Sequence, residues 1–204
     1  DGLLAELMGV SPEESGPDGN DVAALLAQLR RGAVEAAAGA GLRSESLRLF
    51  RGLREGYGPP PPFESLHREG RMFGQSTEAV MGHYRTNGFS LAEEGTGPED
   101  HLGVELKYLA LLCLRESQAW RDGDLLEGRN CLEAERSFID QHLQSWVPGY
   151  CRKVTEEAHS TFYRAVAGLT AEAIDLDSSQ VAGMLGEVSG HGMESCRQEQ
   201  GAMT

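Results

Sequence analysis

Apolar residues in this chain recur at three- and four-residue spacing and nowhere in sustained alternation. Val22, Leu25, Leu26, Leu29 and Ala33 form one such series, and Leu102, Leu106, Leu109 and Cys113 form another. A 3.6-residue period turns these side chains onto one face of a helix, whereas a half-buried strand needs a period of two. Strands are therefore expected to be absent or trivial. No segment repeats at a fixed solenoid period, so the predicted fold is all-α, a globular bundle of about seven to nine helices.

Breakers divide the pattern. Residues 1–9 read as a short amphipathic helix and 11–19 as an acidic loop. A helix is expected from an Asn20 N-cap, stopping at Gly39 to Gly41, and a second from about Ser44 to Gly56. The run "YGPPPPFESLH" cannot continue a helix, because proline removes a donor and fixes extended backbone. A third helix is expected from a Ser76 cap to Asn87-Gly88, which suits a left-handed C-terminal turn.

After Pro98 the pattern predicts the longest helix, apolar enough all round to lie in the middle of the bundle. "RDGD" at 121–124 marks a turn. A further helix carries Leu132, Phe138, Ile139, His142 and Leu143 and is expected to break near Trp146-Val147-Pro148. Val154, Ala158, Phe162 and Val166 predict one more, followed by a weaker helix from a Thr170 cap. The domain reading is an N-terminal helical part over 1–97, a C-terminal part over 98–188 packed as one unit with it, and a polar tail over 189–204.

Charge narrows the function. Thirty-two acids against eighteen bases give a formal net charge of −14, which repels nucleic acid and anionic membrane and favours a cationic partner. No apolar run approaches the ~20 residues that span a bilayer, and no signal-peptide pattern stands at the start, so stable membrane insertion is not expected and a cytoplasmic location is. Cys113, Cys131, Cys151 and Cys196 lack CxxC spacing and read as reduced, packed thiols. Neither a phosphate-binding loop nor a GxSxG elbow is present. No cofactor, metal or catalytic residue is assigned.

Two places put acids beside histidines, Asp100-His101 and Asp140-x-His142. One reading is a helical metal-dependent phosphohydrolase using all four, although a metal needs several converging ligands. Another is structural: Glu99 and Asp100 follow Pro98 at a helix start, where carboxylates meet the positive end of the dipole and orphan N–H groups. His142, one turn before Trp146, reads as a hydrogen-bonded structural histidine. Leu49, Phe50, Tyr57 and Phe63 gather around the prolines, facing either a groove or the core.

Taken in order, three segments resemble the TorD/DmsD family of molybdoenzyme-specific chaperones, the redox enzyme maturation proteins. They are "LFRGLREGYGPPPPFES", then "PEDHLGVELKYLALL" with a P-x-D-H loop, then "FIDQHLQSWVPGY", followed by "FYRAVAGL"; the likeness covers roughly residues 42–177. It implies an all-helical fold, a monomer or domain-swapped dimer, and no enzymatic activity. The implied partners are the twin-arginine signal peptide and the apo catalytic subunit of a molybdenum-cofactor oxidoreductase, held until cofactor insertion permits export. By the same resemblance Glu99, Asp100 and His101 belong to the signal-peptide-binding region, and Leu49, Phe50, Phe63 and Ser65 match an apolar client pocket. Phe63 stands where relatives often carry Trp, and His67 where an aromatic often follows, which leaves peptide selectivity open. An apolar helix in a carboxylate-rimmed groove is a natural docking mode for such a peptide.

Overall fold

The computed structural model describes residues 19–37, 41–51, 58–89 and 99–201, with side chains described over 22–34, 41–51, 58–89 and 99–188. The expected helix at 1–9, residues 11–18 of the expected loop, Gly56 and Tyr57 lie outside the described residues, as does the side chain of Cys196, while Gly19 opens α1. The described chain is all-α. Its helices are α1 (Gly19–Ala37), α2 (Gly41–Phe50), α3 (Glu64–Glu69), α4 (Gln75–Thr86), α5 (Leu102–Asp122), α6 (Leu125–Phe138), α7 (Gln144–Glu157) and α8 (Thr161–Gly201), with a π-helical turn at Ile139–Leu143 between α6 and α7. Among the described residues no strand forms, and one isolated antiparallel bridge joins Phe63 to His101.

Packing divides the chain into two units that interleave in sequence. One comprises Asp1–Pro59 and Cys151–Glu172; the other comprises Pro60–Tyr150 and Ala173–Thr204. The 97/98 boundary of the sequence reading falls inside the second unit, where residues 62–65 are hydrogen-bonded to residues 100–102.

In the first unit, α1 meets α8 so closely that a Cβ on Gly32 would collide with the Phe162 backbone at 2.5–2.7 Å. Leu49 is fully buried, and the Phe50 ring stands edge-on to Tyr163 with centroids 5.3 Å apart. The Glu45 carboxylate accepts the N–H groups of His159 and Ser160 at the start of α8, at 2.5 and 3.0 Å. Ser44 is inside α2 rather than at its start, and its hydroxyl donates to the Gly41 carbonyl.

In the second unit, α5 presents Glu105, Tyr108, Leu109, Leu112 and Ala119 inward and packs on Cys131, Leu132, Glu135 and Phe138 of α6. The expectation that α5 is buried on all sides is corrected: Leu114 is 64 % exposed and Leu111 39 %. Leu114 lies opposite the packed stripe and Leu111 at its flank, and the α5–α6 contact covers only one face. The turn at "RDGD" forms as expected, with Gly123 left-handed at φ 75° and Asp124 accepting the Glu127 N–H at 3.0 Å. Asn87 and Gly88 close α4 as expected.

Several boundaries differ from the sequence reading. α3 was not anticipated, since Pro61 and Pro62 dominate the local signal. Gly74 precedes α4 and Ser76 lies within it; the cap comes instead from Glu69, whose carboxylate accepts the Gln75 and Ser76 N–H groups. The predicted break at Trp146-Val147-Pro148 does not occur: α7 runs through Pro148, and the irregularity is the π turn before it. Proline excludes the carbonyl four residues back, here that of Gln144, where the wide turn ends. The expected helix through Val154 to Val166 is interrupted at 158–160, while α8 continues through Thr170, whose hydroxyl donates to Val166, into the expected tail as far as Gly201. α8, not α5, is the longest helix described.

Candidate functional site

Phe63 and His101, extended residues just before α3 and α5, pair as an isolated antiparallel bridge that ties the two helix starts together. Glu64 N–H donates to the Asp100 carbonyl at 2.9 Å, and Leu102 N–H donates to the Pro62 carbonyl at 2.9 Å. The Asp100 carboxylate turns inward and accepts the Ser65 N–H at 2.7 Å. Ser65 lies in the first turn of α3, which has no capping side chain of its own, so Asp100 supplies the cap from 35 residues away.

His101 plays the matching part for α5. Its Nδ1 accepts the Gly103 N–H at 3.0 Å, which requires the neutral ring with its proton on Nε2. Burial lowers its pKa, against an opposing pull from the Asp100 charge. The imidazole stands edge-on to the Phe63 ring, centroids 5.0 Å apart. Both rings are half-buried, and Glu99 beside them is half-buried with its carbonyl accepting the Tyr84 hydroxyl at 3.1 Å.

Beneath these rings lie three carboxylates of zero exposure, Glu64, Asp100 and Glu105. Glu64 is bracketed by two bases: Arg68 on one oxygen, and His142 Nδ1 on the other at 2.8 Å. The π turn aims His142 at this acid, as the structural-histidine reading expected. Burial pushes the Glu105 carboxyl well above the usual carboxylate range, the charges of Glu64 and Asp100 push it further, and the Trp146 indole beside it opposes them. His67 stacks on Trp146 at 5.2 Å and meets Tyr150 edge-on at 5.1 Å, so this departure from the family pattern packs among aromatic rings.

The seven site residues from the sequence are thus distributed. Phe63, Ser65, Glu99, Asp100 and His101 come together in the second unit. Leu49 and Phe50 belong to the first unit, Leu49 in its core. Ser65 and Asp100 are buried and bonded to each other, so neither presents its side chain at the surface. Glu64 and Glu105 were not singled out as polar core; the available signal was that Glu105 stands three residues after Leu102 and four before Leu109, on the face that packs.

The phosphohydrolase constellation does not assemble. Asp100 is engaged by Ser65, His101 by Gly103 and His142 by Glu64, while Asp140 is on the surface, paired with Arg136 at 2.7 Å. Among the described residues no group of three or more His, Cys, Asp or Glu has metal-holding geometry.

Residues 15–152 match the family model described as the nitrate reductase delta subunit. The chain belongs to that family. Relatives within it include a TorD chaperone protein of Vibrio cholerae serotype O1, 27 % identical over 117 residues, covering 57 % of this chain and 52 % of the relative. A selenate reductase assembly chaperone protein of Thauera selenatis is 35 % identical over 101 residues, covering 48 % and 50 %. A TorD chaperone protein of Shewanella pealeana is 28 % identical over 107 residues, covering 52 % and 42 %. The aligned stretch spans about half the length of these delta-subunit-family relatives, which are named as chaperones or assembly proteins rather than catalysts. The TorD-type family that the three motifs pointed to is the family the match shows. Among the described residues no helix is long and apolar enough to cross a membrane.

Proposed function

We propose that this chain is a cytoplasmic, client-specific chaperone without catalytic turnover. It binds the twin-arginine signal peptide, the apo catalytic subunit, or both, of a molybdenum-cofactor oxidoreductase, and holds the client for cofactor insertion before export. The observation that carries this reading is the junction of Phe63 and His101, two half-exposed rings held edge to face above buried carboxylates, in a chain of the delta-subunit family.

Phe63 offers the apolar contact, while His101 and Glu99 form its polar lip. Asp100 and Ser65 keep the lip in register by joining α3 to the start of α5. Sixty-four per cent exposure at Leu114 shows that α5 also carries apolar surface, but on the face away from its packed stripe. The net charge of −14 draws a cationic leader and orients its approach, an effect that salt screens.

The test is titration of the purified chain with labelled twin-arginine leader peptides from the host's molybdoenzymes, with twin-lysine versions as controls. Saturable binding at micromolar protein is expected, weakened by salt and by Phe63→Ala at unchanged fold. A full panel of leaders and apo catalytic subunits that fails to bind would sink the reading.

A further inference from the structure

Arg136 of α6 fixes where α8 runs. Its guanidinium donates to the Ser178 carbonyl at 2.9 Å and to the Ser178 hydroxyl at 3.3 Å. Asp177 precedes Ser178 and Glu135 precedes Arg136, so the bond brings two acids together on neighbouring helices. α5 adds a third. Cys113, Glu116 and Trp120 recur at three- and four-residue spacing along one flank of α5, and the Trp120 ring lies over Gly128 of α6, where a Cβ would meet it at 2.6–2.7 Å. That flank therefore faces α6. The Trp120 indole donates to Glu116, and the Cys113 thiol is hydrogen-bonded to Glu135. All of these residues belong to the second unit.

Three acids thus meet without a base among them. Glu135 is the floor, 1 % exposed, with its Oε1 buried and unpartnered. Glu116 and Asp177 are half-buried at the rim. Among the described residues no arginine, lysine or histidine is ion-paired with any of the three. Arg136 is turned to Asp140 and Ser178, and Arg115 to Glu127 and the Asn87 carbonyl. Burial, then the Glu116 and Asp177 charges, push the Glu135 carboxyl up to about 8, and burial, then Glu116, raises Asp177. Acids that repel one another around a buried oxygen with no donor are completed by a donor cation from outside.

Spacing sets the chemistry of that cation. Among the described residues no three acids have metal-holding geometry, since a metal needs its oxygens within about 2–2.6 Å of one point. A guanidinium carries five N–H groups in a planar fork and reaches carboxylates set further apart. Its distance from the lip suits a leader. Glu116 stands fifteen residues beyond His101, about 22 Å along α5 at 1.5 Å per residue, a span that about seven residues of extended peptide cover. We infer that Glu135, Glu116 and Asp177 form a guanidinium site that takes an arginine from the cationic front of the client leader, while the apolar part of the same leader lies at Phe63 and His101. This rests on the chaperone reading above.

The test is calorimetry of a twin-arginine leader and its twin-alanine version against wild type, Glu135→Gln and Asp177→Asn. Buffers of different ionisation enthalpy count the protons released on binding. Wild type at pH 7 is expected to release about one proton per twin-arginine leader, because the entering cation ionises Glu135. Each substitution is expected to weaken the twin-arginine leader about tenfold and to leave the twin-alanine leader unchanged, and Glu135→Gln is expected to abolish the proton release. Equal losses on both leaders overturn the site and give the acids a structural role. Unchanged twin-arginine affinity in both variants also overturns it, and leaves the leader reading standing. Magnesium chloride that releases the same proton without peptide overturns the guanidinium in favour of a metal. Twin-arginine leaders that fail to bind wild type take down both.

Discussion

The Asp100 carboxylate accepts the Ser65 N–H at 2.7 Å, and both residues are buried. A side chain on one loop thus caps a helix whose own preceding residue, Phe63, has nothing to cap it with. The same two segments carry Phe63 and His101, so the geometry of these half-buried rings depends on a bond that solvent does not reach.

Asp100→Ala leaves the Ser65 N–H buried without its charged acceptor. It is predicted to cost about 2–4 kcal/mol in denaturant unfolding, and Asp100→Asn, which keeps one acceptor oxygen, about half as much. A midpoint within experimental error of wild type for Asp100→Ala would contradict the capping role.

Phe63 and His101 separate contact from support. His101→Ser retains an oxygen that can cap α5 but loses the ring against Phe63. Stability within about 1 kcal/mol of wild type is expected, with weaker leader binding by calorimetry. The histidine also sets an acid limit: its folded pKa is lowered, so its contribution is present above its unfolded value near 6.5 and is lost as pH falls below that value. The acid-side slope of stability between pH 7 and 5 should be shallower in His101→Ser.

Glu105 acts in the opposite direction. A buried carboxyl whose folded pKa is raised contributes stability that is complete below its unfolded value near 4.5 and is lost as pH rises towards the folded value. Glu105→Gln keeps the neutral shape and is predicted to remove that alkaline decline. Parallel stability curves for wild type and variant from pH 5 to 9 would show that Glu105 ionises freely in the fold.

Glu135 is a second case with a defined window. Burial, followed by the charges of Glu116 and Asp177, pushes its carboxyl up to about 8. Its contribution is lost between about pH 4.5 and 8, and Glu135→Gln should gain about 1–3 kcal/mol over wild type at pH 8.5. Thermal melts of the pair at pH 5 and 8.5 check it, since the gain must vanish at the lower pH.

His142 and Glu64 form a buried pair at 2.8 Å. His142→Ala removes one of the two bases that bracket Glu64 and is predicted to cost about 3 kcal/mol. The double variant His142→Ala with Glu64→Gln should recover part of that loss, and strict additivity of the two would argue against coupling.

The all-α class, the turn at 121–124, the end of α4 and the family were legible from residues in order, because helical periodicity, Gly and Asn at C-termini and three spaced motifs are properties of the chain itself. The pairing partner of His142 was not, since Glu64 is 78 residues away. Nor was the run of α7 through Pro148, because propensity counts the missing donor but not the π turn beside it.

Acid beside histidine at 99–101 was open between cap, catalyst and lip while only spacing was known. Local sequence determined that these residues start α5, as the chemistry of a helix N-terminus requires. Only tertiary structure decided that Asp100 faces inward to cap α3, that His101 faces Phe63, and that Glu105 lies beside two other acids. Each of those outcomes depends on which distant backbone donors and charges come within hydrogen-bonding reach, and the helical period of one segment carries no information about another.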